Sequence, residues 1–419
     1  MAESKKRKAL FNFKINKRKA KKYDVVDFNG KNSERKRRKL GKRFTVIRNR
    51  IILIASVVAL LAISSYFIMS ILHPVGVFEY LGHNLKISGN GEGYDIDVSG
   101  GSPINIVDEN KIYFAVTDRS VNCYNTKGKI LFENQHLFKQ PVLKSAETRY
   151  VLYGQGETEL HIGNVSGTLH TVSFEHGIIC AYISDSGHYA VATKTEGYES
   201  SVAVFDKNNK KVYEWFLSDE IVNGVCLTPN GKTLAVSTIK AEKGSSVSAF
   251  YVLKYDQASP IMIKNYSDEF VYGLKSTSNT TFCAVFSNRL EFINYKKQSV
   301  SSHESEYSVS MVKQVGNRLI AVRTVAANHD DSIVEIYNKK GELISSFKAD
   351  SYVSDVSYKS GKIYLLGISK AYKYDIRGKL IASSDVGYDT TFIEVIADNK
   401  LACVRNSTIE KHELKKIGE

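Results

Sequence analysis

A unit of about 40 residues recurs from residue 94 to the end of the chain, and this repeat constrains the fold more than any other feature. Aligned on a polar turn, it reads DENK at 108–111, AETR at 146–149, DSGH at 185–188, PNGK at 229–232, SNTT at 278–281, VGNR at 315–318, KSGK at 359–362 and ADNK at 397–400. Each turn leads into a β-rich run: IYFAV, YVLYG, YAVAT, TLAVS, FCAVF, LIAVR, IYLLG and LACVR. Third and fourth strands follow, joined by a second polar turn, as in VNCYNTKGKILF at 121–132 and AYKYDIRGKLIASS at 371–384. The registered positions 111, 149, 188, 232, 281, 318, 362 and 400 lie 38, 39, 44, 49, 37, 44 and 38 residues apart. Four short strands at that period mark the blade of a β-propeller.

Eight second strands predict eight four-stranded blades, with seven as the alternative. The eighth supplies only three strands of its own, at 391–397, 401–405 and 408–414. Tyr94, Ile96 and Val98 alternate with Asp95, Asp97 and Ser99, the pattern of the missing outer strand. Pairing it with the last blade would close the ring and remove two open edges. The glycines of GNGEG at 89–93 are expected in a loop or at the start of a strand, because no Gly-Lys-Ser/Thr completes a phosphate-binding loop.

Ahead of the repeats, Ile51 to Leu72 contains no charged residue. A helix of that length reaches about 33 Å, enough for a hydrocarbon core of about 30 Å. Residues 1–50 carry 20 Lys or Arg against four acids (Glu3, Asp24, Asp27, Glu34), whereas the remainder carries 38 basic and 40 acidic residues. The basic residues crowd the N-terminal side of the apolar run, which predicts a cytoplasmic N-terminus and a C-terminal domain outside the cell membrane. The run is too long for a cleaved signal peptide and lacks a small-residue cleavage site, so a single-pass signal anchor is expected. The chain then divides into a disordered basic cytoplasmic tail (1–47), a transmembrane helix (48–72), a linker (73–92) and an extracytoplasmic propeller (93–414). Arg35, Lys36, Arg37, Arg38, Lys39, Lys42, Arg43, Arg48 and Arg50 are predicted to face anionic lipid headgroups. The same basic runs would suit nucleic acid, but beside a bilayer lipid is the nearest polyanion.

The turns NTKGK at 125–129, NKKGE at 338–342 and DIRGK at 375–379, each following a strand, resemble the repeats of YVTN-type and quinoprotein-like (PQQ-like) propellers. With the basic tail and single span, residues 48–414 resemble an uncharacterised family of membrane-anchored propeller proteins of Gram-positive bacteria. Fold alone assigns no activity. A quinoprotein enzyme would bring Trp-rich blades, adjacent cysteines and a calcium site, and this chain has one tryptophan, Trp215, and no adjacent cysteine pair. GNVSG at 163–167 displaces the serine from a nucleophile elbow, and Tyr307 stands where a zincin motif begun at His303 and Glu304 needs histidine. No catalytic residue, metal site or cofactor is therefore expected. Cys123, Cys180, Cys226, Cys283 and Cys403 lie in apolar strand patterns and read as packed free thiols, with a disulfide outside the cell as the alternative.

In a propeller, the loop from the outer strand of one blade to the inner strand of the next shares a face with the loop between second and third strands. Here the first kind pairs acids with aromatics: Asp219 and Glu220; Tyr266, Asp268, Glu269 and Phe270; Glu304, Glu306 and Tyr307; Asp350 and Tyr352. These eleven residues are the predicted binding site, with the aromatics as anchors for an envelope protein or a glycan. The expected function is a non-catalytic binding scaffold at the cell envelope; the alternative is a surface sensor, which would need a second state such as a dimer.

Overall fold

The computed structural model describes residues 30–417 except 74, 99, 110, 243, 325–330 and 350, with side chains from 44 onward apart from 71 and 72. It divides into two units, 1–67 and 68–419.

From Gly30 onward the first unit is helical. Helix α1 runs Gly30–Leu72, beginning well before residue 48, where the helix was expected. Lys, Arg and Leu are good helix formers, and no proline interrupts the stretch. Of the expected basic tail, residues 1–29 lie outside the described residues, and α1 begins within the remainder, at Gly30. Within α1, Phe44–Ser70 is long and apolar enough to cross a membrane, with a mean hydropathy of 2.6 and none of it buried.

The second unit is an eight-bladed propeller. Blades 1 to 7 span 105–135, 141–173, 178–217, 221–267, 273–304, 308–349 and 355–385, each with antiparallel strands A to D in chain order from the innermost. Blade 8 takes strands A to C from 390–413 and its fourth from Ile96–Asp97. Ile96 pairs with Ile409 and Asp97 with Thr408, while the Val98 amide donates to the Ser407 carbonyl at 2.7 Å. The ring therefore closes with the segment whose alternation suggested it. Lys415–Lys416 add a fifth strand to the outer edge of blade 7.

Strand B of each blade lies between two neighbours, so both of its faces are covered. In blade 1, all five residues of Ile112–Val116 are buried, which explains a continuous apolar run where a half-exposed strand would alternate. Outer strands do alternate, as in Lys211–Leu217. The C–D turns share one chemistry. Asn125 Oδ1 accepts the amides of Lys127 and Lys129, Asn338 those of Lys340 and Glu342, and Asp375 those of Arg377 and Lys379. Gly128, Gly341 and Gly378 follow at φ of 75–85°, where a Cβ is disfavoured.

The expected linker holds a second helix, α2, Val77–Ile87. It packs on the A–B and C–D corners of blades 1 to 3, opposite the face carrying the D–A and B–C loops. Arg149 makes two hydrogen bonds of 2.7 Å to the Glu79 carboxylate, Lys207 Nζ reaches the Val75 carbonyl at 2.9 Å, and Asn125 Nδ2 donates to the carbonyls of Ile87 and Gly89. His73 stacks on Tyr80 and pairs with Glu147. The GNGEG run then crosses the blade 1 turn in backbone contact: a Cβ on Gly91 would meet the Lys129 amide nitrogen at 2.3 Å. No expected helical period marked α2, because its apolar residues surround it.

Candidate functional site

The D–A corners bring the predicted acids beside bases from the next blade. Arg289, at the start of strand C in blade 5, makes hydrogen bonds of 2.8 and 2.7 Å to the two Glu269 oxygens and holds that carboxyl below its ordinary range. Its Nε lies 3.2 Å from Glu291. Arg405 does the same for Asp389 at 2.8 Å, and Lys240 lies 3.5 Å from Asp219. Arg323, fully buried, donates to Glu335 and to the carbonyls of Asn288, His303 and Tyr307. Much of the acidity expected on this face is thus neutralised within the protein.

Two of the predicted contact residues are interior. Tyr266 is 7 % exposed; its hydroxyl donates to Glu291 at 2.7 Å, and its ring meets Phe286 edge-on. Burial and the Glu291 carboxylate push its pKa well up. Glu220 is buried and accepts from the hydroxyls of Thr238 and Tyr251. Tyr266 and Glu220 hold adjacent strands together, which removes them from an accessible contact set. Asp219, Asp268, Phe270, Glu304 and Glu306 are exposed, and Tyr307 and Tyr352 are half-buried. The neighbouring Glu306 carboxylate raises the pKa of Tyr307. Asp350 lies outside the described residues. The structure therefore joins Tyr266 to Glu269 through Arg289 and Glu291, and Glu306 to Tyr307, without gathering all eleven residues.

The most exposed large apolar side chains on this face were not among them. Leu137 in the blade 1–2 loop is 96 % exposed, Tyr388 in the blade 7–8 loop 83 %, and Tyr272 beside Phe270 69 %. Ile368 and Ile104 add further exposed apolar groups at the same level of the ring. Tyr388 stands in DVGYD at 385–389, an acid–aromatic loop like the others that contributed no predicted site residue, and Tyr272 lies two residues past Phe270, outside the pairing.

The A strands form a second polar region around the channel. Asp108, Lys144, Lys275, Lys313 and Glu394 pair with Tyr113, Val151, Cys283, Ile320 and Ala402, each two residues past the registered position of its blade. They occupy one level of the innermost strands. Lys313 of blade 6 lies 3.1 Å from Asp108 of blade 1 and 3.7 Å from Asp355 of blade 7. Blades 6 and 1 are not neighbours, so the first pair crosses the channel. Burial alone would lower Lys313, but the Asp355 and Asp108 carboxylates hold it above its ordinary value. Burial, with Asp185 and Asp108 nearby, pushes Glu109 up to about 8; burial with Asp108 does the same to Glu394. Burial lowers Lys144 and Lys275. The sequence signal for these five was a charged residue at one register of an apolar A strand, visible only once the blades are aligned. The five cysteines are free, four of them buried, and burial pushes Cys180, Cys226 and Cys403 up to about 12.

Residues 93–414 match a family described as being of unknown function. The chain belongs to DUF5711. That match covers the whole DUF5711 propeller, from the closing strand at 96 to the last strand of blade 8. No curated protein matches the sequence. Among solved structures, the DUF5711 chain is similar to a eukaryotic initiation factor at 12 % identity, covering 79 % of this chain and 91 % of that one with a TM-score of 0.51, which supports the propeller fold. BamB from Moraxella catarrhalis matches at 12 % identity over 76 % and 98 % of the two chains (TM-score 0.48), and AztD from Citrobacter koseri at 14 % over 74 % and 89 % (TM-score 0.48).

Proposed function

We propose that this chain is a non-catalytic, membrane-anchored scaffold whose D–A face docks a protein partner. The observation that carries the reading is the set of exposed apolar side chains at the blade corners, Leu137, Tyr272, Phe270 and Tyr388, interspersed with Asp268, Glu304 and Glu306. Isolated exposed apolar residues are ordinary, but aromatics repeated at equivalent corners of one face supply the anchors an interface uses. The acids add charge complementarity, so the partner carries a basic patch and binding weakens with salt. The apolar helix Phe44–Ser70 crosses the cell membrane, with the basic N-terminus in the cytoplasm against anionic lipid and the propeller outside.

The test compares wild type with a Leu137→Ala, Tyr272→Ala, Tyr388→Ala variant by proximity crosslinking in intact membranes. These side chains are exposed, so the variant keeps its fold. A partner captured by wild type and lost by the variant, then bound by the purified wild-type protein with a salt-dependent affinity, supports the reading. Identical captured sets would sink it.

A further inference from the structure

Helix α2 presents to solvent the side chains that a surface helix ordinarily buries. Phe78, Leu81 and Leu85, at i, i+3 and i+7, share its outward face and are 80 %, 45 % and 76 % exposed. Its other side is committed to the propeller: Val77, His83 and Ile87 are buried, Arg149 grips Glu79, and Lys86 reaches Ser166. The helix cannot roll to hide the stripe without breaking those contacts. The corners of the face on which it lies carry exposed bases, among them Lys111, Lys210, Lys296, Lys339, Arg377 and Lys379, although residues 51–419 as a whole have slightly more acids than bases.

We propose that the outward stripe of α2 is seated in the interfacial layer of the bilayer, with the basic A–B and C–D corners against its anionic headgroups. This rests on the reading of Phe44–Ser70 as a membrane span. Two observations select the lipid surface as the occupant. Only residues 73–76 separate α1 from α2, and four residues reach at most about 14 Å, so α2 stays near the membrane surface if α1 spans it. An apolar stripe flanked by lysines and arginines is also the composition of helices that lie in the headgroup layer, buried about 5–10 Å deep. Docking there turns the D–A face, with Tyr272 and Tyr388, away from the bilayer and leaves it open to a partner.

The experiment uses the full chain reconstituted in vesicles of phosphatidylcholine and phosphatidylglycerol. Single nitroxide labels are placed by Leu81→Cys, Leu85→Cys, Ile54→Cys and Tyr272→Cys at neutral pH, where the native thiols are protonated and packed. Accessibility to oxygen, which concentrates in lipid, is compared with accessibility to a water-soluble nickel chelate. The expected result is an oxygen-to-nickel ratio several-fold higher at 81 and 85 than at 272, approaching that at 54. If 54 is lipid-exposed while 81 and 85 match 272, the docking of α2 is wrong and the span stands. If 54 is itself aqueous, the membrane reading fails first and this proposal falls with it. If 81 and 85 exclude both reagents and Leu85→Cys crosslinks to itself, a second copy covers the stripe, and the lipid assignment is overturned.

Discussion

At the scale of single residues, backbone approach and buried charge set the sharpest constraints. Gly128 sits at φ 75°, and a Cβ there would fall 2.2 Å from the Gly93 carbonyl oxygen, which belongs to backbone and cannot swing aside. Gly361 has φ 77° with open space around it. Gly361→Ala is therefore expected to cost only the left-handed conformation, about 1–2 kcal/mol, and Gly128→Ala clearly more, about 3 kcal/mol. Thermal unfolding of the pair separates the conformational cost from the steric one. Glu109 yields a pH prediction. Its carboxyl titrates near 8 in the folded protein against 4.5 ordinarily, so folding favours the protonated form. The associated stability is fully present below about pH 4.5 and is lost as pH rises towards 8. Glu109→Gln keeps the shape and removes the charge; it should raise Tm by about 2–4 °C at about pH 8.5 and leave it unchanged near pH 4. Parallel curves for the two proteins would show that Glu109 does not titrate in this window.

At the scale of elements, α2 and the blade corners show how local pattern and packing diverge. VFEYLGHNLKI places apolar residues on both sides of the helix, so no single stripe stood out and the segment read as a linker. Its position depends on contacts from three blades, chiefly the ion pair between Glu79 and Arg149. Arg149→Met should release the helix at a cost of about 1–3 kcal/mol and expose 73–92 to protease well before the ring unfolds. Equal cleavage in wild type and variant would mean that other contacts suffice. The acid–aromatic loops were legible as recurring features, but their side chains were not. Tyr266 ends an outer strand whose next blade offers Glu291 as an acceptor, and that acceptor draws the ring inward. Tyr272, two residues past Phe270, lies beside that exposed ring and stands in solvent.

At the scale of the molecule, closure of the ring is the controlling event. The fourth strand of blade 8 is only Ile96–Asp97, yet it joins residues more than 300 positions apart in sequence and covers the last open edge. The amides of Asp95 and Val98 donate to Ile409 and Ser407, and they should exchange slowly with solvent deuterium. Val98→Pro removes one of those donors and should cost about 3 kcal/mol, with self-association through the freed edges. Fast exchange at 95 and 98 in the wild-type protein would place the closure elsewhere.

What the sequence determined by itself was everything set by period: a propeller of eight blades or seven, four strands in each, the turns with their Asn, Asp and Gly, the candidate closing strand and one helix apolar enough to enter a membrane. These follow from local rules, because alternation, turn chemistry and apolar length act over a few residues at a time. Tertiary structure alone decided which aromatics face water, which acids are neutralised by the next blade, and that Lys313 and Asp108 meet across the channel. It also decided that α2 turns Val77, Glu79, His83 and Ile87 towards the ring and Phe78, Leu81 and Leu85 outward. Each of these depends on groups far apart in sequence, and a side chain's burial or charge state is fixed only by the neighbours that ring closure brings to it.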